Sequence, residues 1–557
     1  MDFNIVIAGE AGQGLKTVES LLTKTFSRHG YYLFSTKDYM SRIRGGHNFM
    51  QVRISDEKVE GPAEGIDLLV ALNEESVEVH RDEMSERGVI LTSLESDSDQ
   101  VVTIDAKAIA KDVNPRAANT VFVGAAFKIM GLPTKEAKTA LKEHFAKKES
   151  VIEDNLTLLD QGYETVNEVF ELEDLGAKEG RMIIDGNSAV GLGAALAGLS
   201  FYAAYPMSPS TGILTYLAGK QEELGIVVEQ AEDEIAAINM ALGGTYSGMR
   251  SMTGTSGGGL ALMAEGVGLA GITETPIVIA DVQRPGPATG LPTRTGQGDL
   301  LFAINIAQDE FPLMVIAPKD QEDAVYQTFR AFNLADKYQI PVIILSDQFI
   351  GDSSKTISEI DTSGLEINRY LMDETEVEGE YKRYKYTEDG ISPRAYPGQL
   401  KDQIVLLDSD EHDEFAHIVE DGETRNKMVE KRARKMEKLK EEDLLDAEYF
   451  GPEDPEYIIV NWGSTAGPTK EARKLLADEF KVGQLCFNDV WPLPEKMIKE
   501  KAAEAELVIV ENNSTAQFAK LLRSETGIKA DYNILKYDGR PFSGSELARR
   551  FKEEVSK

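Results

Sequence analysis

The chain has 557 residues, with 59 lysine and arginine residues against 95 aspartate and glutamate residues, so its formal net charge is −36. This length predicts three or four domains, and a surface this acidic repels nucleic-acid phosphates and anionic membranes. We therefore expect neither nucleic acid nor a membrane as a partner. The first residues, MDFNIVIAGE, show no signal-peptide pattern, so a cytoplasmic protein is expected.

The single cysteine, Cys486, limits the redox chemistry of the chain. An iron–sulfur cluster needs about four thiolates, so one thiol cannot hold it. The surrounding GQLCFNDVWP is apolar and favours a buried, unreactive thiol. Any cluster chemistry must therefore reside on another chain.

Alternating strand and helix patterns indicate several α/β domains, each with helices on both faces of its sheet. Residues 1–175 form the first, and residues 182–355 form a second with glycines gathered at strand ends. Residues 356–455 are a polar linker or insert that contains NKMVEKRARKMEKLKEEDLLD, a pattern that predicts a solvated helix bridging domains. Residues 456–557 form the last α/β domain.

The N-terminal domain carries two glycine-rich turns. GEAGQG, residues 9–14, suits either an anion-binding loop or a tight turn packed on a neighbour. Its spacing differs from that of a dinucleotide-binding loop. Arg42 and Arg44 precede a glycine pair, where a solvated salt-bridge turn is favoured slightly over a ligand-binding turn.

The loop YPMSPST follows a strand of the second domain and contains Tyr205, Ser208 and Thr211. The carboxyl ends of strands in open α/β sheets are where ligands bind. Hydroxyls on a proline-stiffened loop can hold a carboxylate by hydrogen bonds without a charge. A merely stiff connection is the alternative, and the spacing alone favours it.

Two carboxylates, Glu232 and Glu234, precede the small-residue helix IAAINMALGG. Acidic residues in the first turn complement the helix dipole, so ordinary capping is one interpretation. A carboxylate at the mouth of a closely packed helix could instead act as an acid or base.

Two glycine-dense segments follow further strands of this domain. The first, TGTSGGG, contains Gly257 and Gly258; the second, QRPGPATGLPTRTGQGD, spans residues 283–299. A long loop of this kind in a compact domain is usually functional. Its two cations, Arg284 and Arg294, suit bidentate capture of a carboxylate, which we favour over a structural ion pair.

Together these motifs resemble those of the 2-oxoacid:ferredoxin oxidoreductases over nearly the whole chain. GEAGQG and MSRIRGGHN resemble the γ domain of that family, and YPMSPST resembles its YPITPST signature. AEDEIAAINMALGG and GLPTRTGQGDL are similar to the pyrimidine-binding domain of its α subunit. NWGSTAG, VENNSTAQ and YDGRPFS are similar to its transketolase C-terminal-like domain. The resemblance predicts an α subunit with the γ domain fused in front, of the 2-oxoglutarate type.

The resemblance implies an activity and its partners. Thiamine diphosphate is shared with a β subunit, which carries Mg²⁺ and a [4Fe–4S] cluster, within an (αβ)₂ heterotetramer. A 2-oxoacid loses CO₂, coenzyme A accepts the acyl group, and ferredoxin receives the electrons. The expected reaction is 2-oxoglutarate to succinyl-CoA, and a broad-range or a pyruvate or branched-chain 2-oxoacid enzyme is the alternative.

The resemblance also assigns the cofactor-binding residues. Glu234 corresponds best to the glutamate that contacts the aminopyrimidine ring, with Glu232 as the second choice. Gly257 and Gly258 belong to the same binding segment, and no metal ligand is expected in this chain.

Substrate binding is assigned to the hydroxyl loop and one arginine. Ser208, flanked by Tyr205 and Thr211, stands where the family has a carboxylate-binding threonine. Arg294 corresponds to the substrate arginine, so Ser208 and Arg294 are expected to bind the C1 carboxylate, with Arg284 next in line.

Two other classes of protein stay open from the residues themselves. One is a nucleotide-dependent enzyme that uses the N-terminal glycine loop, although the glycine spacing counts against it. The other is a scaffold without catalytic activity that completes a partner complex.

Overall fold

The structure is a computed structural model in which the described residues are 1–41, 45–373, 375 and 379–557. Arg42 and Arg44, singled out in the sequence, lie outside the described residues. The chain divides into two compact units. The first comprises residues 1–184, 353–359 and 543–545, and the second comprises residues 185–352, 360–542 and 546–557. The finer division at residues 175, 355 and 455 stays a prediction.

The strands, in chain order, are β1 (Asp2–Glu10), β2 (Tyr32–Asp38), β3 (His47–Ser55), β4 (Ile66–Ala71), β5 (Met84–Thr92), β6 (Val101–Thr103), β7 (Arg181–Asp185), β8 (Phe201–Ala204), β9 (Val227–Gln230), β10 (Ser251–Thr255), β11 (Ile277–Gln283), β12 (Met314–Ile316), β13 (Pro341–Asp347), β14 (Ser354–Ser358), β15 (Glu448–Phe450), β16 (Tyr457–Trp462), β17 (Val482–Phe487), β18 (Asp489–Trp491), β19 (Glu506–Glu511) and β20 (Tyr532–Leu535).

The α-helices are α1 (Leu15–Arg28), α2 (Glu74–His80), α3 (Ala106–Ala110), α4 (Ala118–Ile129), α5 (Lys135–His144), α6 (Ile152–Thr165), α7 (Gly186–Leu196), α8 (Thr211–Leu224), α9 (Glu234–Tyr246), α10 (Gly257–Leu262), α11 (Ala264–Ile272), α12 (Leu300–Ala303), α13 (Gln321–Tyr338), α14 (Gln348–Asp352), α15 (Gly422–Glu442), α16 (Ala466–Leu476), α17 (Lys496–Lys501), α18 (Gln517–Thr526) and α19 (Gly544–Val555). Among the described helices, none combines the length and the apolar character that crossing a bilayer requires.

The first unit is built on a mixed sheet with the strand order β6-β5-β4-β1-β3-β2-β14-β7. Central strand β1 pairs parallel with β4 and antiparallel with β3. Ile5 and Ile7 enter a core with α1, α4 and α6, whereas Val6 and Ala8 enter a core on the opposite face. Because alternate residues point to opposite faces, the apolar run of β1 requires cover on both.

The second unit contains two sheets. The larger has the order β18-β12-β13-β11-β10-β8-β9, parallel except for the edge strand β18. Helices α9 to α12 contribute to the core on one face, and α7 and α13 pack together on the other side. The smaller sheet has the order β15-β17-β16-β19-β20 and is parallel apart from β15. These layered α/β sheets confirm the fold class expected from the sequence.

Helix α15 confirms the predicted helix, but the expectation that it is solvated is wrong. Met428 and Leu439 are fully buried, and so are Lys431 and Lys435. Lys431 Nζ donates to the buried carboxylate of Glu274 at 2.6 Å, and Lys435 forms an ion pair with the same carboxylate. A buried counter-charge therefore allows a charged helix face to enter the core.

Candidate active site

The candidate site lies where β8, β10 and β11 of the larger sheet end. Strand β8 leads into the hydroxyl loop 205–211, β10 leads into Gly257, and β11 leads into the long loop 284–299. These three strands are adjacent and parallel, so their carboxyl ends share one edge of the sheet. Such an edge is the usual ligand-binding position in an open α/β sheet.

Glu234 is the first residue of α9 and is almost fully buried, with 3% of its surface exposed. The capping role that the sequence left open belongs to Asp233, whose side chain accepts a hydrogen bond from the backbone N–H of Ala236 at 2.7 Å. Glu234 Oε1 has no hydrogen-bond partner among the described residues. Glu232, by contrast, is exposed. A buried carboxylate oxygen is costly unless it is hydrogen-bonded, so Glu234 is the better placed of the two to meet a ligand.

The glycines of TGTSGGG bring the start of α10 against two carboxylates. A Cβ atom at Gly259 would lie 2.5 Å from Glu234 Oε1, and one at Gly257 would lie 2.5 Å from an Asp299 oxygen. Any larger residue at these two positions would displace those side chains. Gly258 is exposed, and a Cβ atom there would meet only the Ala288 carbonyl at 3.7 Å.

The hydroxyl loop is joined to the long loop by Arg284. Arg284 Nη1 donates to the backbone carbonyl of Ser208 at 2.6 Å. Ser208 and Tyr205 are exposed, and Thr211 begins α8. Burial lowers the pKa of Arg284, while the negative charges of Asp299 and Glu234 oppose that shift. Arg284, Asp299 and Glu234 therefore interact as one charged cluster, to which Ser208 is joined through its backbone carbonyl.

Arg294 has different neighbours from those of Arg284. Its Nη1 donates to the Thr293 carbonyl at 3.2 Å, and a Cβ atom on Gly539 would lie 3.0 Å from Arg294 Cβ. The adjacent Thr295 N–H donates to the Gly539 carbonyl at 3.2 Å. The structure thus brings Ser208 together with Arg284, and it places Arg294 beside the YDGR segment.

Sequence reasoning missed two acidic residues of the site, Asp281 and Asp299. Asp281 lies in β11 and is fully buried, and Asp299 directly precedes α12. Burial raises the pKa of Asp281 well above its usual range, and the neighbouring Asp299 raises it further. Burial also raises the pKa of Asp299 to about 6, although Arg284 opposes the shift. The available signal was an aspartate inside an otherwise apolar strand.

The end of the long loop is fixed by the motif VENNSTAQ. Gln297 is fully buried and donates through Nε2 to the Trp462 carbonyl at 2.9 Å. Its backbone N–H donates to the Asn512 carbonyl at 2.7 Å, and its carbonyl accepts from Asn513 Nδ2 at 3.0 Å. Gln517 Nε2 donates to the Gly298 carbonyl at 2.7 Å. These bonds set the position from which Asp299 reaches Gly257.

Family models match both parts of the chain. A model described as "Pyruvate flavodoxin/ferredoxin oxidoreductase, thiamine diP-bdg" matches residues 192–438. A second, described as "Pyruvate ferredoxin/flavodoxin oxidoreductase", matches residues 4–165. The candidate site lies within the first match, in a domain of the thiamine-diphosphate-binding class.

Individual relatives agree with these models. The chain is 32% identical to a 2-oxoacid:ferredoxin oxidoreductase subunit alpha from Sulfolobus sp, over 98% of this chain and 96% of the relative. It is 32% identical to the 2-oxoglutarate synthase subunit KorA from Methanothermobacter marburgensis, over 66% of this chain and 95% of that one. It is also similar to a solved 2-oxoglutarate:ferredoxin oxidoreductase from Magnetococcus marinus, with a TM-score of 0.92, 33% identity and 99% of each chain covered.

The chain therefore belongs to the 2-oxoacid:ferredoxin oxidoreductase family, as an α-type subunit. The fold class and the family expected from the sequence are both confirmed.

Proposed function

We propose that this chain is the α subunit of an enzyme that oxidatively decarboxylates 2-oxoglutarate to succinyl-CoA and passes the electrons to ferredoxin. One observation carries the proposal: the similarity, over 99% of both chains, to an oxidoreductase solved with 2-oxoglutarate, coenzyme A and succinyl-CoA bound. The methanogen relative, named a 2-oxoglutarate synthase subunit, supports the same substrate. A broad-range 2-oxoacid enzyme is the second candidate, favoured by the general name of the Sulfolobus relative.

Glu234 and the glycines of α10 fit the pyrimidine end of thiamine diphosphate. The free Oε1 of Glu234 supplies a buried acceptor for a ring nitrogen of the cofactor. Gly259 carries no Cβ atom that would crowd this oxygen, and Gly257 and Gly258 precede it at the start of α10, with Gly258 exposed. Thiamine diphosphate, when bound, supplies the nucleophilic carbon that adds to the keto group of a 2-oxoacid. Glu234 orients the ring and holds a proton at its nitrogen, the work of an acid or base.

The substrate carboxylate is assigned to the cluster around the hydroxyl loop. The Ser208 hydroxyl is exposed at the sheet edge, with Tyr205 and Thr211 on either side along the loop. A guanidinium grips a carboxylate through two parallel hydrogen bonds, and a neutral hydroxyl adds direction without a second charge. Arg284, already hydrogen-bonded to Ser208, is the better placed arginine for the C1 carboxylate. We assign Arg294, which the sequence analysis expected at the C1 carboxylate, to the far end of the substrate.

The remaining parts of the reaction belong to partners. We assign Mg²⁺ and the [4Fe–4S] cluster to a β subunit, with which this chain forms a cytoplasmic (αβ)₂ complex, and ferredoxin is the electron acceptor. The surface of the site supports such a partner. Large apolar residues are 37–51% exposed there in spite of the net charge of −36; they are Tyr205, Ile235, Leu262, Leu291 and Phe302. Exposed apolar patches of this kind mark protein interfaces.

The test is a substrate comparison with the assembled enzyme. The chain is co-produced with its β subunit, and CoA-dependent viologen reduction is measured with 2-oxoglutarate, 2-oxobutyrate and pyruvate. We expect kcat/KM for 2-oxoglutarate to exceed the other two by at least about tenfold, since the dicarboxylate adds a charged hydrogen bond. Equal values would establish the broad-range enzyme, and no reduction with any 2-oxoacid would contradict both candidates.

A further inference from the structure

Asp281 is a buried acid to which the reaction above gives no role. It is fully buried, and both its carboxylate oxygens are without a hydrogen-bond partner among the described residues. An isolated ionised carboxylate in such a position is very unfavourable, so the group must be neutral or share its charge with a neighbour. Burial, followed by Asp299, raises its pKa in keeping with this requirement.

Strand register places Asp281 at the candidate site. In the parallel pair β10–β11, Asp281 lies opposite Thr255, the residue two positions before Gly257. Ile279, two residues earlier on the same strand, enters the core formed with α9 to α12, so Asp281 faces the same side of the sheet. Asp299 packs on Gly257 from that side, and its Oδ2 is also buried without a partner within the described part of the chain.

Taking the proposed function as the identity of the site, we propose that Asp281 and Asp299 share one proton, and that this singly charged pair positions the Arg284 guanidinium for the substrate carboxylate. Two neighbouring buried carboxyl groups do not both ionise readily, because their charges repel in a medium of low dielectric. With one proton between them, the protonated carboxyl group donates a hydrogen bond and the ionised carboxylate accepts it. The charged groups that act on the pair are Arg284 and, through Arg284, Glu234.

Charge balance explains why a single proton matters. Glu234 and the pair contribute one negative charge each, and Arg284 contributes one positive charge. Ionising the pair completely would place a third negative charge beside Arg284, which would then attract a substrate carboxylate less. The shared proton therefore keeps Arg284 available to an anion, and Asp281 acts as a positioning residue.

Infrared spectroscopy of the full-length chain tests the pair without any turnover. The wild-type protein should show a protonated-carboxyl C=O stretch at pH 7 that is lost in Asp281→Asn. The same band should persist in Asp299→Asn at a shifted frequency, because Asp281 remains buried but its acceptor has changed. A band that survives Asp281→Asn, or keeps its frequency in Asp299→Asn, would overturn the proposal. If Asp281→Asn does not fold, the frequency comparison with Asp299→Asn decides alone.

Kinetics of the assembled enzyme test the positioning role. Asp281→Asn can still donate a hydrogen bond to Asp299, so its KM at pH 7 should stay near the wild-type value. Asp281→Leu, of comparable volume, cannot donate and should raise KM by about tenfold, the effect of a lost charged hydrogen bond. With rising pH the wild-type KM should increase as the shared proton is lost, whereas the KM of Asp281→Asn should stay flat. An equal effect of Asn and Leu would reduce Asp281 to a packing role and contradict the proposal.

The carboxyl pair and the proposed function can each be contradicted while the other still stands. An infrared result as expected, combined with no 2-oxoacid turnover, would leave the pair in place and remove the proposed function. An active 2-oxoacid enzyme whose infrared band survives Asp281→Asn would keep the proposed function and remove the pair.

Discussion

Glu234 and Glu232 are two residues apart, yet the structure gives them different environments. Glu234 is buried against Gly259, whereas Glu232 is exposed. We expect Glu234→Gln to lower kcat by about 10²-fold or more, because the amide keeps the shape of the side chain but loses the basic carboxylate. Steady-state kinetics of the assembled enzyme measure this.

Glu232→Gln is the matched control and should leave kcat close to the wild-type value. Loss of activity in Glu232→Gln, together with a nearly normal Glu234→Gln, would exchange the two assignments. The thiamine-dependent reaction would then stand with a different carboxylate.

Substitutions of the two arginines of the long loop, Arg284 and Arg294, should differ in the substrates whose kinetics they change. Arg284→Lys should raise KM for pyruvate, 2-oxobutyrate and 2-oxoglutarate alike, because all three carry the C1 carboxylate. The loss of a bidentate charged contact is worth roughly 2–4 kcal/mol, or about 30- to 1,000-fold in kcat/KM. Arg294→Lys, the companion variant, should weaken 2-oxoglutarate selectively. The reverse pattern would restore the expectation from the sequence that Arg294 binds C1.

The location of a residue in the fold is predictable where its motif lies continuously along the chain. Ser208 and Glu234 stand in short segments directly after strands, so their position at the sheet edge follows from the sequence pattern. Asp281 and Asp299 are 18 positions apart in the numbering, and only strand pairing and a glycine contact bring them together. Neither spacing nor composition contains that information.

At the scale of elements, α15 is held by an ion cluster with more cations than anions. Glu274 is in contact with Lys431 and Lys435, and Arg383 Nη2 donates to the Glu274 carbonyl at 2.6 Å. Glu274→Leu should lower the free energy of unfolding by about 3–5 kcal/mol, since it leaves buried cations unpaired. Lys435→Met should change it by less than about 1 kcal/mol, because Lys431 still pairs with Glu274. Urea unfolding of both variants measures the difference, and equal losses would contradict it.

The same cluster predicts a pH dependence. Burial lowers the pKa of Lys435 to about 7, whereas an unfolded lysine titrates near about 10.4. Between these values the unfolded chain binds more protons than the folded chain, so stability should rise with pH through this window. The rise should be smaller in Lys435→Met, and an identical pH slope in both proteins would show that Lys435 does not titrate there.

Helix α15 shows which properties of a secondary-structure element could be predicted from the sequence and which could not. Helical spacing allows the helix itself to be predicted, and in the structure Asp421 caps its first turn. Its buried face could not be predicted, because the counter-charge comes from Glu274, far away in the chain and in a left-handed conformation with φ of 48°. The strands after which the site loops begin were predictable from their apolar runs, whereas the fixing of one loop by Gln297 and Asn513 was not.

At the scale of the whole molecule, the chain has an acidic surface and a single thiol. Proteins that carry electrons on an iron–sulfur cluster need about four thiolates to hold it. Cys486 is buried in β17, as its apolar neighbourhood predicted, and burial raises its pKa to about 12. A thiol that stays protonated at neutral pH is a poor metal ligand, because metals bind the thiolate form. On the proposed function, we therefore assign the onward transfer of electrons from the candidate site to a partner chain.

The isolated chain should consequently be colourless and inactive. We expect no iron-dependent visible absorbance and no viologen reduction from the chain alone, and both should appear when the β subunit is added. Metal analysis and absorbance of the chain before and after reconstitution measure this.

Cys486→Ala is the control: because the thiol is buried and unreactive, the reconstituted variant should retain wild-type activity and iron content. Stoichiometric iron in the isolated chain, or loss of the cluster from the reconstituted Cys486→Ala enzyme, would contradict the assignment of all cluster chemistry to the partner. A chain that reduced viologen without its partner would show instead that the site gives up electrons directly.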